Sequence, residues 1–470
     1  MTSKKRLLRT AFILCLTSYM GACTIKSPPS SKEVLADTLP DSTHIQDNWG
    51  ASVNSEKVVD GWLDSFEDQM LEALVAEVLA NNQNLQAAAA KVDAAAALAT
   101  QAGAALKPTI GLSGKGSTVG ASGLTSNLES SNAFLSISWE LDIWGRIRSG
   151  VAAADATNRA TQADYEYARQ SLVALTAKTW FLATQIRVQQ KLSQEAVEIF
   201  TELVNLVEAR QRIGLAQPQD LSQIKARLAN AEANLRQVKS SFLDIVRSLE
   251  VLLGRYPSAE LEVNTDYLAQ LPPIPTGMPA EILERRPDLI SAESRVAATF
   301  NLTQQARAAR LPRVKLTASG GAADNGLTDI LNTSNPVVSL GANLFAPLYT
   351  GGALKAAVEE ADAKQRAAMS VYAQSVLSAF QEVETALSNE HLYRERETYL
   401  RDVVNNNQEA YRITLAQHKV GRVDLLSVLQ NQASLLSARS ALIAAKNERL
   451  SQRVSLHLAL GGSFELANLK

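Results

Sequence analysis

The sequence predicts an α+β membrane protein built from two copies of one unit, each joining a pair of short strands to a helical hairpin of unusual length. Three observations predict it. The chain of 470 residues repeats itself at a nearly fixed offset. Each copy holds two segments in which apolar and polar residues alternate. Each copy also holds a run of 67 residues without proline.

The repeat comes first because it organises the rest. Asn84-Leu85 through Pro108 match Asp288-Leu289 through Pro312 at an offset of 204, with Val92 on Val296 and Leu112 on Leu316. The offset then becomes 207, pairing Gly145 with Gly352, Ala154-Asp155-Ala156 with Ala361-Asp362-Ala363, Gly214 with Gly421 and Gly254 with Gly461. The first copy is read as 61–254 and the second as 288–461, with a tail at 462–470. Between them, 255–287 carries six of the 14 prolines and is expected to be extended or turned.

In each copy a helix (72–106, then 288–310) precedes two strand-like segments. Leu135, Ile137, Trp139, Leu141 and Ile143 fall on one face of 134–143, opposite Ser136, Ser138, Glu140 and Asp142. Segments 109–115, 313–319 and 337–344 alternate in the same way. A soluble sheet packed on helices would alternate too. Membrane context comes from the Gly/Ser/Asn-rich loops 116–132 and 320–335, and from Trp139, Trp144, Phe345 and Tyr349, which cluster like an interfacial girdle.

The helices follow. Arg146–Arg212 and Ala353–Lys419 are the two proline-free runs; 67 residues of continuous helix measure about 100 Å. Segments 219–253 and 424–460 return from glycine-bearing turns. Helices of this length belong to coiled coils or tubes.

Two strands per copy make four, too few to close a barrel. In lipid an open sheet leaves unpaired backbone groups on both edges, at several kcal/mol each. Closure therefore calls for several chains, and three chains of four strands give a twelve-stranded barrel with polar faces lining a lumen.

The leader completes the reading. Lys4, Lys5, Arg6 and Arg9 precede an apolar run, Ala11 to Leu16, ending in Met20-Gly21-Ala22-Cys23. This resembles the bacterial lipoprotein cleavage box, with Met20 where leucine is usual. The resemblance implies removal of 1–22 and lipidation of Cys23; Thr24, not aspartate, permits sorting to the outer membrane. Residues 23–60 then read as a polar tether. The mature chain keeps 42 basic and 48 acidic residues, a net charge of −6, and no cysteine other than Cys23. Disulfides and thiol chemistry are excluded. No basic block follows the leader, which argues against nucleic acid, and no later run is apolar enough for a membrane helix.

Trp139-Glu140-Leu141-Asp142-Ile143-Trp144-Gly145-Arg146 resembles the strand-to-helix signature of the TolC-like outer membrane factor family, in its lipoprotein branch. Glu284-Arg285-Arg286-Pro287-Asp288-Leu289, followed by Ala292-Glu293, resembles that branch's second helix start, and Trp62, Phe66, Leu71 and Leu74 its opening segment. Locally, Pro287 disfavours helix at Arg286, and Asp288 is an expected N-cap. The likeness spans about residues 60 to 461 in order.

The resemblance implies a passive homotrimeric duct with a twelve-stranded barrel in outer-membrane lipid and a long periplasmic α-helical barrel. Substrate would arrive from an inner-membrane transporter through a periplasmic adaptor. The turns at Arg212, Gly214, Lys419 and Gly421 would be adaptor-docking tips, as well as plain glycine-capped turns. Past them would lie the periplasmic aperture, with Leu426 as steric plug and Asp220, Ser427 and Gln430 nearby. Ser427 and Gln430 stand where the family often carries acids, so a double acidic ring is absent. For Asp220, a solvated helix-start residue is the competing reading.

No enzyme is expected and no cofactor. Gly114-Lys115-Gly116-Ser117-Thr118 lacks phosphate-loop spacing and reads as a flexible loop. His44, His391, His418 and His457 show no metal-ligand spacing. Met70, Met278 and Met369 are too few to suggest a metal relay. Two other readings stand beside small-molecule efflux: an exit duct for type I protein secretion, and a lipid-tethered coiled-coil scaffold spanning the periplasm.

Overall fold

The order of secondary structure repeats once along the chain. This computed structural model describes residues 27–40, 42, 43, 46, 48–50, 58, 60–119, 128–263, 277, 279–324 and 336–464. Helix α1 (Ser31–Thr38) leads to α2 (Gln69–Asn81), α3 (Gln83–Ala104), β1 (Thr109–Val119), β2 (Leu128–Leu141), α4 (Arg146–Arg212) and α5 (Pro218–Leu252). The second copy runs through the one-turn α6 (Ile282–Arg285), α7 (Pro287–Ala308), β3 (Arg313–Asp324), β4 (Pro336–Phe345), α8 (Ala353–Lys419) and α9 (Leu425–Ala459). The bounds of α8 and α9 are those of α4 and α5 shifted by 207. Both 67-residue helices are continuous.

Several elements differ from the sequence expectation. The first helix is two helices, because Asn82 turns the chain: its Oδ1 accepts from the Asn84 and Leu85 N–H groups at 3.1 Å, and its Nδ2 donates to the Leu252 carbonyl. An asparagine that caps a new helix scores almost as well as a helix interior in a periodicity reading. Strands β1, β2 and β3 extend into segments read as loops, so Gly114–Thr118 lies in β1 rather than in a flexible loop. Glycine and serine carry no apolar pattern, yet their backbones complete the ladder. Asp288 is not the N-cap of α7. Arg286 is extended (φ −74°, ψ 119°), Pro287 begins the helix, and the Asp288 carboxylate turns back to the Arg286 guanidinium. The expected tether holds a helix of its own: Ser30 and Glu33 cap α1 reciprocally, Val34 and Leu35 are buried, and Ser31 Oγ donates to Glu293 at 2.6 Å. The leader, Cys23, His44, most of the expected loops and the tail from 465 lie outside the described residues.

The strands form one antiparallel sheet in the order β1-β2-β3-β4. Opposed residues share a face, so the register assembles apolar rows across it. One row is Ile110, Ile137, Ala318, Leu340; the next is Leu112, Leu135, Gly320, Val338. The other face carries Gly111, Ser136, Ser319, Ser339 and the charged pair Glu140 and Lys315. Phe134 also lies on that face, opposite Gly321, where an added Cβ would come within 2.0 Å of the Ala133 carbonyl.

The chain divides into two compact units. The first contains the sheet with residues 90–104, 146–163, 290–308 and 353–375 of its helices. Its helices pack through small side chains: Ala153, Ala156 and Ala160 are buried, and Ser291 Oγ donates to the Ala160 carbonyl at 3.0 Å. Helices this close leave room for little more than such side chains. The first unit also holds α1, and the second holds the remaining helical segments around two apolar clusters. One gathers Trp62, Phe66, Leu71 and Leu74 against Trp180, Leu249 and Val454, with the Trp180 indole N–H donating to Asp68 at 2.7 Å. The other lies nearer the α4–α5 and α8–α9 turns.

Polar groups are buried in the second unit as well. Glu250 is nearly sealed and accepts from the backbone N–H groups of Ala259, Glu260 and Leu261 at 2.7 to 3.2 Å, fixing the start of the proline-rich linker. Burial opposes that charge, but the three donors hold the carboxyl below the usual range. On α8, Glu397 is buried and binds Arg401 and Arg449 at 2.6 and 2.9 Å. His457 lies against the Trp62 ring, 5.5 Å between centroids and 13° between planes, with no hydrogen-bond partner at either nitrogen.

Burial and, secondarily, the Arg453 charge push the His457 pKa down to about 3. The folded state therefore refuses a proton that the unfolded chain accepts near pH 6.5. Its contribution is present above that pH and is lost as pH falls toward 3, at about 1.4 kcal/mol per pH unit. His457→Phe is expected to flatten that part of the acid unfolding profile, as measured by denaturant titration in detergent between pH 7 and 4.

Candidate functional site

The two inter-helix turns are built alike. At the end of α4, Gly214 has φ 76°, its N–H donates to the Gln211 carbonyl at 3.0 Å, and the Leu215 N–H donates to Arg210 at 2.8 Å. At the end of α8, Gly421 has the same φ, with its N–H on His418 and that of Arg422 on Gln417, both at 2.9 Å. A Cβ added at either glycine meets nothing within 4 Å. Only the left-handed backbone requires glycine there, so Gly214→Ala or Gly421→Ala should cost about 1 kcal/mol. Thermal unfolding checks this; a much larger loss would mean that the turn is covered.

Around these turns Ile213, Leu215 and Val420 are exposed, as are Arg212 and Lys419. The turns are tied to each other. Arg210 Nη1 lies 3.2 Å from His418 Nε2 and donates to the His418 carbonyl at 3.1 Å, while His418 Nδ1 sits 3.0 Å from the Val423 carbonyl. With a proton on Nδ1 the ring donates to that carbonyl, and Nε2 is left to accept from Arg210. The histidine spacing offered no hint of it.

The expected aperture residues divide into two kinds. Asp220 accepts from the Gln217 N–H at 3.0 Å, closing the start of α5. Ser427 is held by the α9 cap, its N–H and Oγ both donating to Asp424 at 2.9 and 2.6 Å. These bonds hold the Asp424 carboxyl below its ordinary range, the hydroxyl contributing most. Leu426 and Gln430 are exposed one turn apart on a single face of α9. The structure thus leaves Leu426 and Gln430 free to project, and gives Asp220 and Ser427 capping duties. The pattern Asp424-x-x-Ser427 was legible as a cap but went unread.

The strand-to-helix signature resolves into local roles. Asp142 accepts from the Ile147 and Arg148 N–H groups at 2.9 and 2.8 Å, Gly145 turns the chain at φ 75°, and Glu140 binds Arg146 at 2.8 Å. The Trp139 indole N–H donates to the Leu106 carbonyl at 3.0 Å, and that of Trp144 to Pro312 at 2.7 Å. Each indole spends its one donor on the residue where a helix hands over to a strand and leaves its ring exposed, as an interfacial anchor requires. Phe345 is exposed with the Arg313 guanidinium 5.9 Å from its ring centre, and Tyr349 is exposed in the following turn.

On the sheet, Leu112 and Leu340 of the two outer strands are 80 and 82% exposed, and the rows between them are open as well. A face this apolar, left uncovered, marks an interaction with lipid or protein. No helix among the described residues is long and apolar enough to cross a membrane.

These features accord with what the chain resembles. The sequence model described as "Outer membrane efflux protein" matches residues 74–255 and 278–462. The pyoverdine export outer membrane protein OpmQ of Pseudomonas putida is 31% identical, covering 86% of this chain and 88% of its own length. The antibiotic efflux pump outer membrane protein ArpC of Pseudomonas putida is 29% identical, covering 97% and 94%. Among solved structures, the outer-membrane channel OprN superposes with a TM-score of 0.81 at 28% identity over 90% of this chain and 98% of its own. Campylobacter jejuni CmeC, at 22% identity and a TM-score of 0.85 over 94% and 96%, shares the fold.

Proposed function

Since the chain belongs to the outer membrane efflux protein family, whose model covers both of its repeats, we propose that three copies close one duct that carries small toxic compounds out of the cell. The open sheet carries this reading. Strands β1 and β4 each pair on one side only, and the apolar rows between them face outward. In hydrocarbon those edges need partners, and three sheets of four strands complete a ring in which Ser136, Ser319 and Ser339 line the lumen. A sheet of this kind has no place in a coiled-coil scaffold.

The duct is passive. Energy comes from an inner-membrane transporter reached through a periplasmic adaptor, whose apolar contacts Ile213, Leu215 and Val420 would receive at the tips, flanked by Arg212 and Lys419. Leu426 narrows the aperture, with Gln430 beside it. Cys23 carries diacylglycerol and an amide-linked acyl chain that holds the mature N-terminus in the outer membrane. The relatives named for antibiotic, toluene and pyoverdine export support a broad class of small organic substrates.

Deleting the gene and testing drugs, dyes, solvents and metals is expected to sensitise cells to apolar and amphiphilic compounds, with rescue by the wild-type chain. Unchanged sensitivity across the panel contradicts the efflux role. Labelled palmitate should enter the wild-type protein and not Cys23→Ser; label in both excludes Cys23 as the anchor.

A further inference from the structure

Three helices of the second unit border a cavity that lies apart from the turns, the sheet and the apolar clusters. It measures about 550 Å³ and is lined by Lys178 of α4, by Gln381, Glu382 and Thr385 of α8, and by Gln452 and Leu458 of α9. All six residues belong to one compact unit. The side chains of Lys178, Gln381, Thr385 and Gln452 make no hydrogen bond or ion pair with any of the described residues. Four side chains able to donate therefore converge on one space with their donors unused, and a carboxylate is a group that only accepts.

Charge narrows the choice of occupant. Lys178 is half-buried, and that burial holds its pKa below the ordinary lysine value, with no carboxylate among the described residues to offset it. A cation drawn out of water without a counter-charge is relieved by an incoming anion. Glu382 sets the limit. Its carboxylate is bound by Arg286 at 2.7 Å, but the same arginine also serves Asp288, so the trio keeps an excess of negative charge. A second anionic group on a ligand would meet that excess. Leu458 supplies the apolar contact, and the volume lies within the range of pockets that hold small molecules.

We infer that this cavity binds a small organic acid carrying a single carboxylate, with the Lys178 ammonium as its counter-ion, Gln381, Thr385 and Gln452 as further donors, and Leu458 against its apolar body. The site deepens the proposed efflux role by naming a substrate class, and it rests on that reading for its purpose but not for its existence.

Titration calorimetry of the detergent-extracted protein with sodium 2-naphthoate tests it, with 2-naphthylmethanol, the neutral counterpart of similar shape, as the control ligand. Wild type should bind the naphthoate saturably and at least about tenfold more tightly than the alcohol, as a charge-assisted contact requires. Lys178→Met, which keeps the length of the side chain, should lose about that same factor for the naphthoate and leave the alcohol unaffected. Lys178→Arg keeps the charge and should stay within about threefold of wild type. Thermal unfolding establishes that each variant is folded, and the comparison of the two ligands on wild type needs no variant at all. Absence of saturable naphthoate binding by wild type overturns the inference, as does equal affinity for acid and alcohol, or naphthoate binding that Lys178→Met leaves unchanged. Each of those results leaves the efflux role standing, because that role is read from the sensitivity of cells lacking the gene.

Discussion

Leu340→Arg is expected to destabilise the assembled protein by about 2–4 kcal/mol per chain, the cost of a cation on the lipid face of a barrel strand. Leu340 is already 82% exposed, so in a water-facing sheet the same change would fall within about 0.5 kcal/mol. The two accounts of the alternating strands therefore differ several-fold at one residue. Ser339→Arg, next along β4 on the opposite face, is the internal control and should be nearly silent in a wet lumen. Heat dissociation of the detergent-extracted particle, or refolding into vesicles, reads the difference. Equal small effects at 339 and 340 would place both faces in water.

Arg286→Ala is expected to cost about 3–5 kcal/mol, because it leaves carboxylates without their buried counter-charge. The Arg286 side chain is 4% exposed and holds Asp288 and Glu382, each at 2.7 Å, with the Ala459 carbonyl at 3.2 Å. Burial alone would lower its pKa, but the two carboxylates outweigh that and raise it above the ordinary arginine value. Asp288 and Glu382 keep some contact with solvent, which favours the lower end of the range. Lysine at 286 should rescue only in part, since it lacks the planar fork that spans two acids. Adding Asp288→Asn and Glu382→Gln to Arg286→Met should recover much of the loss. Denaturant unfolding measures all four; full stability of Arg286→Ala would show that the cluster is ornamental.

Much of the fold was legible because its signals are long. A proline-free run of 67 residues, repeated at offset 207, leaves little room for another reading. The strand ends were not legible, because Gly114, Gly116, Gly320 and Gly321 pair through backbone alone and carry no period. Helix α1 was hidden among the prolines of the tether. Its capping box, Ser30 with Glu33, was present in the sequence, but only burial of Val34 and Leu35 against the folded chain stabilises eight residues of helix.

The candidate site was legible at lower resolution. Gly214 and Gly421 could be read as turn glycines from spacing, and their positive φ bears that role out. Asp220 and Ser427 could be read by position, but the hydrogen bonds that turn them into caps depend on the local backbone. The Arg210–His418 tie joins residues 208 apart in sequence, and no single-chain pattern reports such a pair. Arg286 stood in a recognised motif, yet its partner Glu382 lies 96 residues away. Motifs show where a residue begins its work, and tertiary structure shows on what.

Native mass spectrometry of the detergent-extracted protein, with imaging of the same particles, tests the central claim most directly. A sheet with two open edges in lipid has to be completed by copies of itself, so the predicted result is a three-chain ring around an axial pore. Stable single chains that still insert into membranes, or particles with no pore on the axis, would contradict it.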